Sequence, residues 1–155
     1  MITPSEFANY FNFRKVECIL DTRDEKACPS AVVFFDEYED IMLKADFLEG
    51  DEILYTTTYF GGRTTEHDFT EITRRLNVLN TITPCSNVVY IDGRLIQQYL
   101  VDTSVTGLEE LYDIADYNVY LTDNASKLAF CNDEALSEML KAAQQNSMQE
   151  DEIYE

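Results

Sequence analysis

The stretch Phe34–Tyr55, "FFDEYEDIMLKADFLEGDEILY", decides the fold. Within it Ile41, Leu43, Ala45 and Phe47 fall on one side of an extended chain, and Lys44 and Asp46 on the other. That period of two is the mark of a strand with one buried face. Glu49-Gly50-Asp51 supplies a turn, and the continuation "EILYTTTYF" is rich in β-branched and aromatic residues, so it reads as a second strand. The same stretch carries eight carboxylates and one lysine. A segment that has to fold against its neighbours therefore also concentrates negative charge.

On its N-terminal side the chain opens with a helix. Thr3 is placed as N-cap, Pro4 as the first helical residue and Glu6 as the second half of a capping box, with Phe7, Tyr10 and Phe11 on one face. A short apolar run (Val16, Cys18, Leu20) precedes the polar loop "DTRDEKACPS", and "AVVFF" is a short, nearly continuous apolar strand. On the C-terminal side, Gly61-Gly62 ends the hairpin. Phe69, Ile72, Leu76 and Leu79 then recur at helical intervals, and Pro84 lies beyond them. "NVVYIDGRLIQQYLVD" reads as a β-hairpin around Asp92-Gly93, the pair preferred in a type I′ turn. Thr106 and Glu109 form a second capping box ahead of Leu108, Leu111, Ala115 and Val119. Asn132 caps a last helix carrying Leu136, Met139, Leu140 and Ala143.

The expected order is α-β-β-β-α-β-β-α-α. It predicts a single α+β domain over residues 1–145, with an antiparallel sheet of about five strands, helices packed on one face and an extra C-terminal helix. An acidic tail, residues 146–155, is expected to fray.

Composition bounds the function. Of 155 residues, 30 are acidic and 11 basic, a formal net charge of −19. Such a charge repels nucleic acid and anionic membranes and favours partners with basic surfaces; its plainest use is solubility. After Arg94 only Lys127 and Lys141 stand against thirteen carboxylates, so the acidity grows along the chain. No window approaches eighteen consecutive apolar residues, and the N-terminus lacks a signal-peptide pattern. A cytoplasmic, reducing location is expected, with Cys18, Cys28, Cys85 and Cys131 as buried thiols.

Chemistry-bearing motifs are scarce. "DEYEDIMLKADF" has clustered acids but lacks the central glycine of a calcium loop. His67, the only histidine, lies near a helix start beside Glu66 and Asp68, and no cysteine spacing pairs with it. "FGGR" lacks the phosphate-loop and dinucleotide fingerprints. No catalytic residue, metal or cofactor is assigned, and an enzyme is not expected.

Two surfaces remain. On one strand face residues recur every ~6.6 Å, and duplex DNA carries a phosphate every ~3.4 Å along each strand, so two neighbouring acidic elements approximate the charge density of DNA. Glu37, Glu39, Asp40, Asp46, Glu49, Asp51 and Glu52, with Glu109, Glu110, Asp113 and Asp116 on a helix, are the candidates for such an acidic surface. The expectation is that they line one solvent-facing side. A protein built this way would act as a DNA-mimic inhibitor, of the kind viruses use, in the basic groove of a nuclease or other DNA-binding protein. The second surface is apolar: Ile53, Tyr55, Tyr59 and Tyr99 on strands, or Leu136, Met139 and Leu140 on the last helix, placed to hold an extended peptide or a second copy.

The segment from Ile72 to Tyr117, with Leu76-Asn77-Val78-Leu79-Asn80, the Asp92-Gly93 turn and a closing helix from near Leu108, resembles the YbjN-like and type III secretion chaperone-like proteins. These share a helix with an L-N-x-L-N pattern, a strand, a D-G turn, a second strand and a closing helix. The resemblance in element order spans about residues 3–120. It implies a small, acidic, often dimeric α+β domain that binds a partly unfolded stretch of another protein along apolar grooves, with no catalytic residues. The chain departs from that pattern in its extreme charge and in its last helix with the "QEDEIYE" end. The leading expectation is a non-enzymatic, chaperone- or adaptor-like protein-binding module; the acidic decoy is the alternative.

Overall fold

The structure, a computed structural model, describes residues 2–21, 28–61, 69–83 and 86–154. It runs α1 (Pro4–Phe13), β1 (Glu17–Asp21), β2 (Ser30–Phe34), β3 (Ile41–Leu48), β4 (Glu52–Tyr59), α2 (Phe69–Ile82), β5 (Val88–Ile91), β6 (Arg94–Asp102), α3 (Leu108–Phe130) and α4 (Asp133–Tyr154). The six strands form one antiparallel sheet in the order β1-β2-β3-β4-β6-β5. Four strands precede α2 where three were expected. The extra one is β1, the short apolar run before the polar loop, in which Cys18 and Leu20 pair with Val33 and Ala31 of β2.

Local chemistry accounts for the element ends. The Thr3 hydroxyl accepts from the Glu6 N–H at 3.1 Å and the Glu6 carboxylate accepts from the Thr3 N–H at 3.0 Å, completing the expected capping box. The β3–β4 hairpin turns through Glu49-Gly50-Asp51, with Gly50 and Asp51 at φ +85° and +61°. Asp92 and Gly93 both have positive φ, the type I′ geometry that their sequence favours. The expected Thr106–Glu109 box does not form. The N-cap of α3 is Gly107, without a side-chain bond, because the helix starts one residue later than that box requires. The last helix, α4, continues through Tyr154.

Alternation along the strands sets the core. Cys18, Ala31, Val33, Ile41, Leu43, Ala45, Ile53, Tyr55, Leu95 and Val101 all point to one face, where they are buried under α1 and α3. Phe7 and Phe11 of α1 stack at 4.4 Å, and Phe7 meets Phe47 edge-on at 5.4 Å. At the other end of the sheet, Ile72 and Leu76 of α2 close over Val88, Leu95, Ala125 and Ala129. Helices α1, α2 and α3 thus lie on one face, as expected. Phe69, counted with the α2 core face, is instead exposed and rests on Tyr90 at 5.9 Å. Among the described cysteines only Cys18 is buried; Cys28 is exposed and Cys131 half-buried. His67 and its neighbours, Gly62, Pro84 and Cys85 lie outside the described residues.

One buried cation ties three helices together. Arg75 of α2, 1% exposed, donates from Nη1 to the carbonyl oxygens of Leu128, Ala129 and Cys131 at 3.2, 3.5 and 2.6 Å. These groups close the C-terminal turn of α3, which has no later helical N–H to serve them. Its Nε meets Glu71 at 3.0 Å and its Nη2 meets Asp133, the first residue of α4, at 2.8 Å. No described residue of α4 is buried, so its junction with α3 is held largely by this side chain and by Asn132, whose side chain accepts from Ala135 N–H at 2.8 Å.

Candidate protein-interaction surface

The carboxylates singled out in the sequence do not share a face. Strand β3, about 23 Å long at the usual rise per residue, lies between Asp40 and Glu49. Glu49, Asp51 and Glu52 lie at one end of the β3–β4 hairpin, where Glu52 pairs with Asp102. Glu37, Glu39 and Asp40 lie at the other end. There, with Asp36 and Asp123, they surround a polar cavity of about 410 Å³ that also touches Tyr38, Tyr59 and Lys127. Asp46 projects from the sheet face away from the helices, in an ion pair with Lys44 at 3.5 Å. Glu109 and Glu110 occupy the first turn of α3, and Asp113 and Asp116 the next. The expectation of one acidic side is therefore wrong. Its physical reason is the extended backbone of β3, which holds its two ends far apart.

The charges of Glu37 and Asp113 reach Asp116. The Asp116 carboxyl is pushed above the usual range first by burial, then by the charges of Glu37 and Asp113, and the Arg14 guanidinium only partly offsets this. Arg14 itself lies over the Tyr112 ring at 4.1 Å. Among the described residues no group of His, Cys, Asp and Glu is arranged to hold a metal ion, and no helix is long and apolar enough to cross a membrane.

The apolar candidates divide in the same way. Ile53 and Tyr55 are fully buried, because odd-numbered positions of β4 face the helices; they cannot line an exposed groove. The Tyr55 hydroxyl donates to the Leu111 carbonyl at 2.9 Å, and burial pushes its pKa well up. Tyr59 is half-buried against Phe130 at 5.8 Å. Leu136 and Leu140 are half-buried and Met139 is exposed on α4. Tyr99, by contrast, is 37% exposed although it is on the helix-facing side of β6.

The reason lies in the unequal arms of the β5–β6 hairpin. β5 pairs with β6 only from Ile91–Arg94 to Val88–Gln97, whereas β6 continues along β4 to Asp102. Residues Gln98–Asp102 are consequently an edge. Ladder bonds alternate in an antiparallel pair. Thr103 N–H donates to Asp51 O at 2.7 Å, and Phe60 N–H to Asp40 O at 3.1 Å. These two bonds fix the phase: Tyr99 and Val101 bond to β4, while Leu100 and Asp102 aim their N–H and C=O away from it, past the end of β5.

Beside this edge, on the helix side, is a pocket of about 210 Å³ lined by Tyr99, Asp113, Ile114, Tyr117, Asn118 and Leu121. Its floor is held by Asn118, which accepts from Gln97 at 2.8 Å and donates to Ile114 O at 2.8 Å. On the opposite side of the sheet Leu100 is 53% exposed. That open face also carries exposed Ile19, Val89 and Ile91, but the Lys44–Asp46 pair and the Gln98–Thr56 hydrogen bond break its apolar residues into separate patches.

Of the residues picked from sequence, the site brings together Tyr99 and Asp113, which had been placed on different surfaces. Leu100, Asp102, Ile114, Tyr117 and Leu121 had not been picked. The signal available for them was the length mismatch between "NVVYI" and "RLIQQYLVD". No family model matches the chain, nor does any curated protein or solved structure.

Proposed function

We propose that this chain is a non-enzymatic, chaperone- or adaptor-like protein-binding module that takes an extended segment of a partner protein as an added strand along Gln98–Asp102 of β6. The observation that carries this reading is the edge itself. Leu100 and Asp102 direct backbone groups outward beyond β5, next to an apolar pocket. Main-chain hydrogen bonds to such an edge supply affinity, and pockets for alternate side chains supply selectivity. The other edges offer less. β5 has four residues, and β1 carries Glu17 and Asp21 at its ends, a charge placement that protects edges. A reducing cytoplasm suits the thiols of Cys18 and Cys28.

The test uses the full chain and a displayed library of random heptapeptides. Backbone hydrogen exchange of the free protein is expected to alternate, fast at Leu100 and Asp102 and slow at Tyr99 and Val101. A selected peptide should slow exchange at Leu100 and Asp102, and N-methylation of its ladder amides should abolish this. Uniform exchange through 98–102 in the free protein, or binding indifferent to N-methylation, would refute the reading.

A second reading, an acidic decoy occupying the basic groove of a DNA-binding protein, is favoured by the crowded carboxylates around Glu37 and Asp116. It predicts affinity that falls steeply with salt and maps to Asp36–Asp40, whereas strand addition is largely salt-tolerant.

A further inference from the structure

Resting on the strand-addition reading above, we infer that the pocket beside β6 receives a lysine or arginine side chain of the bound segment. A strand laid along Leu100 and Asp102 points every second side chain to the helix side of the sheet. There it meets the pocket formed by Tyr99, Ile114, Tyr117 and Leu121, with Asp113 among its walls. Those walls match a long basic side chain part by part. Ile114 and Leu121 accept an aliphatic stem, as such stems lie along apolar surface while the charged head stays wet. The two tyrosine rings and the Asp113 carboxylate then meet the head, through ring-face attraction and ion pairing.

An apolar side chain would leave the carboxylate without a counter-charge. Among the described residues no ion pair at contact distance engages Asp113; Arg14, held over the Tyr112 ring at 4.1 Å, reaches it only as a longer-range charge. An acidic side chain would face Asp113, Asp102 and a chain of net charge −19. Beneath the pocket Asn118 is satisfied by Gln97 and Ile114, while Gln97 Oε1 is buried without a partner.

The probe is N-acetyl-arginine methylamide at millimolar concentration, with the neutral citrulline analogue as control, followed by NMR on the full chain. The arginine probe should shift signals of Ile114, Tyr117, Leu121 and the Asn118 side-chain amide. The citrulline analogue should bind about twofold to fivefold more weakly, the scale of one exposed ion pair with ring stacking. Asp113→Asn should remove that difference while leaving the melting temperature unchanged. Equal binding of the two probes, or arginine shifts centred on Asp36–Asp40, would overturn the inference. The two readings fail separately. If a selected heptapeptide protects Leu100 and Asp102 equally well after its basic residue is replaced by norleucine, strand addition stands and the basic pocket does not. If no peptide protects the edge but the arginine probe fills the pocket, the pocket stands and strand addition does not.

Discussion

Replacing Arg75 tests how the helices on the sheet are joined. Its guanidinium serves three carbonyls of the last turn of α3 and two carboxylates, Glu71 and Asp133. Hydrogen bonds to charged groups contribute about 1.5–3 kcal/mol each but are not additive, and removing one partner of a buried pair costs about 3–5 kcal/mol. The carboxylates recover part of this: the Asp133 side chain is 86% exposed and Glu71 is partly so, and both rehydrate. The carbonyls at the buried end of α3 do not. The expected cost of Arg75→Met is therefore at the lower end, about 3 kcal/mol, or a fall in Tm of roughly 6–12 °C for a chain of this size. Arg75→Ala should cost more by its cavity, and Arg75→Lys should retain only part of the wild-type stability, because an ammonium cannot present the fork of donors. Urea unfolding of the three variants measures this. An Arg75→Met protein as stable as wild type would show that filling the volume suffices and that the capping argument is wrong.

Acid should weaken the same junction. Hydrogen bonds from Arg74 and then Arg75 bring the Glu71 carboxyl down to about 2. Its folded value lies below its unfolded one, so the unfolded chain takes up the proton first. The stabilisation from Glu71 is complete above the ordinary carboxyl range near 4 and is lost as pH falls toward 2. Melting temperatures from pH 6 to 2 should show a drop for wild type that Glu71→Gln lacks; parallel curves would refute the assignment. In the other core, Tyr55→Phe removes a hydroxyl buried against the Leu111 carbonyl and should cost about 1 kcal/mol in a urea titration. No change would mean that this carbonyl finds another donor.

The fold was legible where pattern and chemistry agree locally. Thr3-Pro4-Glu6, the alternation from Ile41 to Phe47, the Glu49-Gly50-Asp51 turn and Asp92-Gly93 each specify their own geometry, and each forms as read. Errors arose where a residue's setting depends on distant chain. Ile53 and Tyr55 look like any large strand side chains until α3 is laid over β4. The acids of Phe34–Tyr55 are neighbours in sequence but sit at opposite ends of a hairpin. Arg75 has no role in the sequence reading, yet it is among the most buried large side chains, because the end of α3 arrives 53 residues later with carbonyls to satisfy.

That separation of charge bears on what the edge of β6 can accept. An exposed edge is a template for any strand, including the same strand of a second copy. Antiparallel pairing of two copies through Leu100 would draw together two chains of −19, each with Asp102 in the paired segment and with Glu49, Asp51 and Glu52 at the adjoining hairpin end. A basic segment meets the same field with the opposite sign, and long-range attraction raises its encounter rate before any ladder bond forms. On the proposed strand-addition reading, the acidity that makes no sense as a single binding strip would act at the edge, disfavouring self-pairing and favouring extended segments that bring a cation to Asp113.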